Sequence, residues 1–418
     1  MNLAPRPPTI KGWCPTALRP METGDGLLVR LRFTGGDVTA GQCRAIGHVA
    51  RAYGNGLIDL SQRGNLQLRG VSAGTLPALT ATLYDFGLLD ADMPGAPAVI
   101  GPPLAGLDTT ASVDGKALVR ALEARLAAAS DLNALPDKFC FLVDEGGRLG
   151  LDNVAADIRL AGHDGHVVLA LANGAGASTP VALTDRPGAI DAALALALAF
   201  LKLRGAVSAR RMTDLVQAIG AAEVARAAGF ALDAPLPSLA LRATEAQDII
   251  GPREGFIGVA APFGRLHADQ LDLLASLAPN GLRLTPWRCI LLPGTKPEAL
   301  ELSERAGLIV SPEDARLAIV ACPGHPSCAA AQIDTRRAAE ALAPLARAFS
   351  PKGIAMHISG CSKGCASALP AQIALAGRDG AYDLIFNGRA DAEPTLRGLD
   401  LARMLAALRE AQAGKANP

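Results

Sequence analysis

Four cysteines near the C-terminal end of the chain have the types and spacing to do chemistry. They read Cys322-Pro-Gly-His-Pro-Ser-Cys328 and Cys361-Ser-Lys-Gly-Cys365. Four thiolates on two separate loops meet at one point only around a shared ligand. A [4Fe-4S] cluster is held in this way. Zinc is the alternative, but structural zinc favours short C-x₂₋₄-C pairs, and the first pair here is C-x₅-C. The compact ferredoxin run C-x₂-C-x₂-C-x₃-C is absent. Gly324, Gly360 and Gly364 surround the thiols, so backbone N–H groups can approach the inorganic sulfides and tune the potential. The spacing therefore predicts electron transfer, with Cys322, Cys328, Cys361 and Cys365 as metal ligands.

Composition narrows the rest. The chain has 418 residues, enough for two to four domains, and half of it is hydrophobic. Forty basic residues balance forty acidic ones, and aromatics make up 4%. That gives neither an electrostatic footprint nor a stacking platform for nucleic acid. The first thirteen residues, MNLAPRPPTIKGW, hold no apolar h-region. The longest apolar stretch, Ala189 to Leu201, contains Asp191 and is too short to span a bilayer. It reads as a buried Ala/Leu helix. The expectation is a cytoplasmic protein without membrane or nucleic-acid partners, in which thiols bind metal more often than they pair. Cys43, Cys140 and Cys289 lie in apolar helix- or strand-like runs and read as core. Cys14, between Trp13 and Pro15, is ambiguous.

The elements that must position the four thiols are written twice. In the first copy, Val29, Leu31 and Phe33 alternate with Arg30 and Arg32, which predicts a strand. Thr39 can cap a helix carrying Cys43, Ile46, Ala50 and Tyr53. A strand around Leu57–Leu60 and the run Arg63 to Gly70 follow. In the second copy, Phe256–Val259 is strand-like, Ala268–Leu277 helix-like, and Gly281 to Gly294 strand-like again. Gly56 and Arg63 are seven apart, as are Gly281 and Arg288, which aligns Arg63 with Arg288. Further on, Ala156 to Gly165 matches Ala371 to Gly380 without a gap. Upstream of that match the second copy carries Cys361, where the first reads Lys138 to Val143. The cluster cysteines thus belong to one copy only. The plan is small, large, small, large: domains 1–75, 76–240, 241–300 and 301–418. Two such halves face each other across a pseudo-two-fold axis, and a cleft between them suits a large flat ligand.

With C-x₅-C and C-x₃-C inside a duplicated chain, and Arg63-Gly-Asn-Leu-Gln67, the sequence resembles the sirohaem-dependent nitrite/sulfite reductase superfamily over nearly its whole length. Within it, the run Trp13-Cys14-Pro15 with Pro20 to Arg30, the run Ala261 to Leu266 and the modest length resemble the precorrin-3B synthase family. The resemblance implies an α+β, internally duplicated fold: two ferredoxin-like half-domains and two larger α/β domains. It implies a mono-oxygenase acting on a precorrin-type tetrapyrrole and O2, forming a γ-lactone in cobalamin biosynthesis. A sirohaem-dependent nitrite or sulfite reductase is the alternative. The resemblance also implies the [4Fe-4S] cluster on the four cysteines, with Cys365 as the thiolate bridging to sirohaem in the reductases. It makes Arg63 and Lys138 candidate catalytic residues. Sirohaem or a mononuclear non-haem iron would meet O2. No G-x-G-x-x-G opens a βαβ unit, so the electrons come from an external ferredoxin or reductase, NADH-linked in one version.

Two departures from the reductases bear on substrate. Cys140 stands at their second lysine, and no arginine occurs between Arg69 and Arg120. Six-electron reduction of a small anion needs dense positive charge. A tetrapyrrole needs arginines spaced for its rim of carboxylates, which they bind bidentately. Arg63, Asn65, Arg69 and Arg288 are the binding candidates. Arg30, Arg32, Arg204, Arg210 and Arg211 stand behind them. His163-Asp164-Gly165-His166 resembles a metal-ligand set, but Asp-Gly marks a turn.

Overall fold

The computed structural model describes residues 13–89, 97–174, 177–231, 235–237 and 241–414. Gly12, and residues 238–240 of the expected boundary near Pro235–Leu241, lie outside them. The described residues form four five-stranded sheets with helices packed against them.

The two small units each build an antiparallel sheet and exchange one strand. The first sheet runs Met21–Thr23, Gly26–Leu31, Leu66–Val71, Leu57–Leu60, and is completed by Arg265–His267 from the second unit. The second runs Gly251–Arg253, Phe256–Ala260, Cys289–Pro293, Leu282–Leu284, and is completed by Asp37–Val38 from the first. The strand that would otherwise end each sheet is therefore covered by one from the other copy. Helices Ala40–Tyr53 and Ala268–Leu277 pack together in one shared core with Val29, Leu31, Ile58, Leu271 and Leu292. The helix contact is close because Gly47 has no Cβ; one would stand 2.5 Å from Asp272. Thr39 caps the first helix, its hydroxyl accepting from Gln42 N–H at 3.1 Å. The shared core also takes in Leu79 and Leu83 of helix Leu76–Asp85, and Ala299 of helix Glu298–Arg305.

The two larger units have the same topology. One sheet runs Ala98–Ile100, Cys140–Asp144, Ile158–His163, His166–Gly174, Ala177–Thr184; the other Ile319–Ala321, Met356–Ser359, Ala371–Arg378, Ala381–Gly388, Leu396–Leu399. In both, the first three strands are parallel and the last three antiparallel. The run Ala189–Leu201 lies within the buried helix Arg186–Leu203. Among the described residues, no helix is long and apolar enough to cross a membrane.

Register gives the duplication a residue-by-residue frame. Ile158 pairs with Phe141 and Ile373 with Met356. Both strands end in an Asp-Gly turn with positive φ, Asp164-Gly165 and Asp379-Gly380. His163 and His166 thus flank a hairpin turn, as the Asp-Gly signal implied. Leu142 then corresponds to His357, Gly146 to Cys361 and Gly150 to Cys365. Ile100 pairs with Leu142 and Val320 with His357, so Pro102 corresponds to Cys322 and Asp108 to Cys328. The N-caps Asp114 and Asp334 of the following helices keep the same count.

The same frame corrects one alignment. Leu60 pairs with Leu66, and Leu284 with Ile290. Ser61 N–H donates to Asn65 O, and Thr285 N–H to Cys289 O. Arg63 therefore corresponds to Trp287, and Arg288 to Gly64. Arg288 and Gly64 share the left-handed backbone, with φ of 58° and 65°. The evenly spaced glycines had shifted the alignment by one residue.

Candidate active site

The four units meet where two turns converge, Ser61–Asn65 and Thr285–Cys289. Gln62 Nε2 and Arg288 Nη2 both donate to the carbonyl of Ala366, at 2.7 and 3.0 Å. The loop holding Cys361 and Cys365 is thus clamped from both small units. The other cysteine loop is held from the first unit: Gly24 N–H and Arg69 Nη2 donate to Ser327 O at 3.2 and 2.6 Å. A Cβ at Gly24 would stand 2.3 Å from Pro326 O, so only glycine lets this turn lie on the loop.

Cys322 follows strand Ile319–Ala321 and is buried with Val320 and Ala366. Cys361 follows strand Met356–Ser359 and is also buried; Cys328 is half-buried. Cys365 counts as exposed by surface area, yet burial around its thiol pushes it up to about 11, with Cys322, Cys361 and Cys328 adding to the effect. The four sulfurs therefore sit within electrostatic range of one another. Gly360 N–H points at Cys322 Sγ at 3.1 Å. A Cβ at Gly360 would meet Ala331 at 2.6 Å, and one at Gly324 would meet Thr335 at 2.3 Å. Among the described residues, no three His, Cys, Asp or Glu side chains are gathered as for a single metal ion.

The ground beneath the thiols is cationic. Asp59, 6% exposed, accepts from Arg265 at 2.7 Å, Arg69 at 3.2 Å and Arg336 at 3.4 Å. Burial alone would raise its carboxyl, but these arginines hold it below the usual range. Arg288 and Arg336 pay for their position: burial pushes both guanidinium groups down to about 10, and both feel Asp59 and Cys322. His357 is fully buried with both ring nitrogens unpartnered. Burial, then Arg288, pushes it down to about 4. Four thiols, an N–H aimed at sulfur and half-buried arginines beside them fit an anionic iron–sulfur cluster.

The first copy carries carboxyl groups at the equivalent place, two of them paired with Arg148 and Arg242. Asp108, Asp144 and Glu145 are buried there, Asp108 at the position of Cys328 and Glu145 at that of Gly360. An anionic cluster has no place among them.

The tetrapyrrole-facing candidates divide. Arg63 Nη2 donates to Lys138 O at 2.9 Å, which brings the two proposed catalytic residues together. Arg30 lies alongside, bonded to Gln67 Oε1 at 3.3 Å, and Arg32 and Arg63 act electrostatically on both Arg30 and Cys140. Cys14 belongs to this wall, its N–H donating to Asp137 at 3.1 Å. Cys140 is fully buried in its strand. Arg211 grips Asp157 at 2.7 Å instead of facing a cleft.

Arg69 departs from its expected place on the binding wall. It is 1% exposed and ion-paired to Asp25 at 2.9 Å and to Asp59. A bulge pairs Leu27 with Val71 but Val29 with Leu68, with Gly70 at φ 69°, and it re-aims Arg69. Asn65 is likewise buried in its turn, its N–H donating to Ser61 Oγ. Arg288 lies under the cysteine loop, donating to the Ala366 carbonyl. Sequence reasoning did not single out Asp25, Asp59, Arg265, Arg336 or His357. Two signals were available: Asp59 interrupts the apolar run Leu57–Leu60, and Arg336-Arg337 sits at a helix N-terminus, where cations are disfavoured.

Comparison with known proteins agrees with this architecture. The model of the nitrite/sulfite reductase ferredoxin-like half domain matches residues 19–85 and 251–306. A precorrin-3B synthase from a Sinorhizobium species is 31% identical, over 92% of this chain and 84% of its own length. A ferredoxin–nitrite reductase from Synechococcus elongatus is 30% identical, over 87% of this chain and 78% of its own. The solved structure of the Mycobacterium tuberculosis NirA protein superposes with a TM-score of 0.74 at 20% identity, covering 94% of this chain and 82% of that one. The chain belongs to the precorrin-3B synthase family, on the duplicated nitrite/sulfite reductase fold.

Proposed function

We propose that the protein is a precorrin-3B synthase. Precorrin-3A, O2, two electrons and two protons enter; one oxygen atom is added at C20, the other leaves as water, and a ring-A acetate closes a γ-lactone. The observation that carries the reading is the match to the Sinorhizobium precorrin-3B synthase along nearly the whole chain. The cationic wall supports it. Arg63, tied to the Lys138 carbonyl, and Arg30, tied to Gln67, are spaced along a surface. They suit acetates and propionates on a rim better than one small anion.

A [4Fe-4S] cluster on Cys322, Cys328, Cys361 and Cys365 would supply electrons singly, and sirohaem or a mononuclear non-haem iron would meet O2. The chain's own part is to bind the carboxylate rim and fix its orientation. Arg63 and Lys138 are the residues assigned to this part, which the Arg63 bond to the Lys138 carbonyl supports. The electron donor is a ferredoxin or a reductase, NADH-linked in one version, and the setting is the cytoplasm. A sirohaem-dependent nitrite reductase is the second reading, supported by the Synechococcus relative.

The test is incubation of anaerobically purified protein with precorrin-3A, air and an electron donor. Product heavier by one oxygen atom is expected. Strong sirohaem bands with nitrite or sulfite turnover, and no precorrin oxidation, would overturn the reading.

A further inference from the structure

The buried charges beside the cysteine loops do not balance among themselves. Arg69, Arg265 and Arg336 share two carboxylates, Asp25 and Asp59, and Arg288 stands within electrostatic reach of Asp59. Asp25 and Asp59 hold Arg69 bidentately and across, and Asp59 also holds Arg265. Arg336 reaches Asp59 only at 3.4 Å and otherwise donates to the carbonyls of Pro262 and Phe263, with its Nε unpartnered. Arg288 donates to the carbonyl of Ala366, next to Cys365. Arginines buried without matching carboxylates are costly unless another anion neutralises them. The anion in reach would be a cluster on the cysteine loops: Arg288 holds the carbonyl next to Cys365, and Arg336 follows Thr335, whose hydroxyl donates to Cys322 O at 2.6 Å.

We infer that Arg288 and Arg336 are positioning residues for the cluster, two half-buried guanidinium groups that offset its negative charge and raise its reduction potential. The inference rests on the cluster reading above. Reduction moves one electron from an external one-electron donor onto a cluster already made anionic by four thiolates, so each nearby positive charge favours the reduced form. Arg336 does this from the first turn of helix Thr335–Phe349, against the helix dipole. Arg288 does it from a left-handed backbone position that the first copy fills with Gly64.

The test is a dithionite titration of purified Arg288→Gln, Arg336→Gln and Arg288→Lys holoproteins, followed by EPR, with iron and sulfide counted in each. The Gln variants should keep their cluster but shift the reduction equilibrium at least tenfold toward the oxidised form, about 59 mV for one electron. Arg288→Lys should stay near the parent. Asp25→Asn, which removes negative charge from the same network, should shift the equilibrium the other way. Unchanged potentials in cluster-replete variants, or shifts of one sign in all of them, would overturn the inference and leave the cluster reading standing. A parent protein free of iron and sulfide would overturn both.

Discussion

Replacing Glu145 by Gln should stabilise the protein at alkaline pH and leave it unchanged in mild acid. Glu145 is 3% exposed. Burial, then Asp108, Asp144 and Asp114, push its carboxyl from 4.5 up to about 8. Its neighbours have their own partners: Asp108 accepts from Thr110 and Arg148, and Asp144 from Arg242 at 2.9 Å. Glu145 is therefore the group that stays protonated. Because its folded pKa is raised, the unfolded chain releases the proton first. Its contribution is fully present below about pH 4.5 and is lost as pH rises to about 8. A span of roughly 3.5 pH units at 1.36 kcal/mol each sets a ceiling of about 5 kcal/mol. Partial solvent screening at the rim of the site reduces this to about 2 kcal/mol. Gln keeps the shape and cannot ionise. Denaturant midpoints for parent and Glu145→Gln, measured at pH 4 and pH 9, check this. Equal midpoints at pH 4 and a variant gain of about 2 kcal/mol at pH 9 are expected. A variant no more stable than the parent at pH 9 would refute the reasoning about the acidic pocket.

Three further outcomes follow from the site. Cys322→Ser should abolish most bound iron and acid-labile sulfide while far-ultraviolet circular dichroism stays native; full cluster content would show that this thiol is not a ligand. Arg63→Ala, which removes a charge-assisted carboxylate partner of about 1.5–3 kcal/mol, should raise the KM for precorrin-3A roughly 10- to 100-fold; an unchanged KM in steady-state assays would remove Arg63 from the binding wall. Arg69→Met should cost about 3–5 kcal/mol, because Asp25 and Asp59 lose their shared partner; a thermal melt within a degree of the parent would show the network to be dispensable.

The duplicated plan was legible because each copy repeats both its strand alternation and its turns. Val29 and Leu31, the Thr39 cap, and the Asp164-Gly165 and Asp379-Gly380 turns are local signals, and they hold in three dimensions. The exchanged strands were not legible. Asp37–Val38 has two residues and shows no periodicity, so only the partner edge reveals it. Arg69 was misread because alternation cannot see a bulge, and Gly70 at φ 69° is what permits one. The charged layer under the cysteines was hidden for another reason. Asp25, Asp59, Arg265, Arg288 and Arg336 come from five separate segments, and a buried pair looks like a solvated one in sequence. The four cysteines were the one candidate set that spacing alone could suggest, because they lie in two short loops.

The reaction proposed for this chain is oxygenation of a tetrapyrrole. It is tested most directly by mass spectrometry of the product from precorrin-3A and ¹⁸O₂, using anaerobically purified protein whose iron and sulfide have been counted. One labelled oxygen atom per product molecule is expected, formed only with an electron donor and lost in Cys322→Ser. Unlabelled or unchanged precorrin-3A from cluster-replete protein would contradict it.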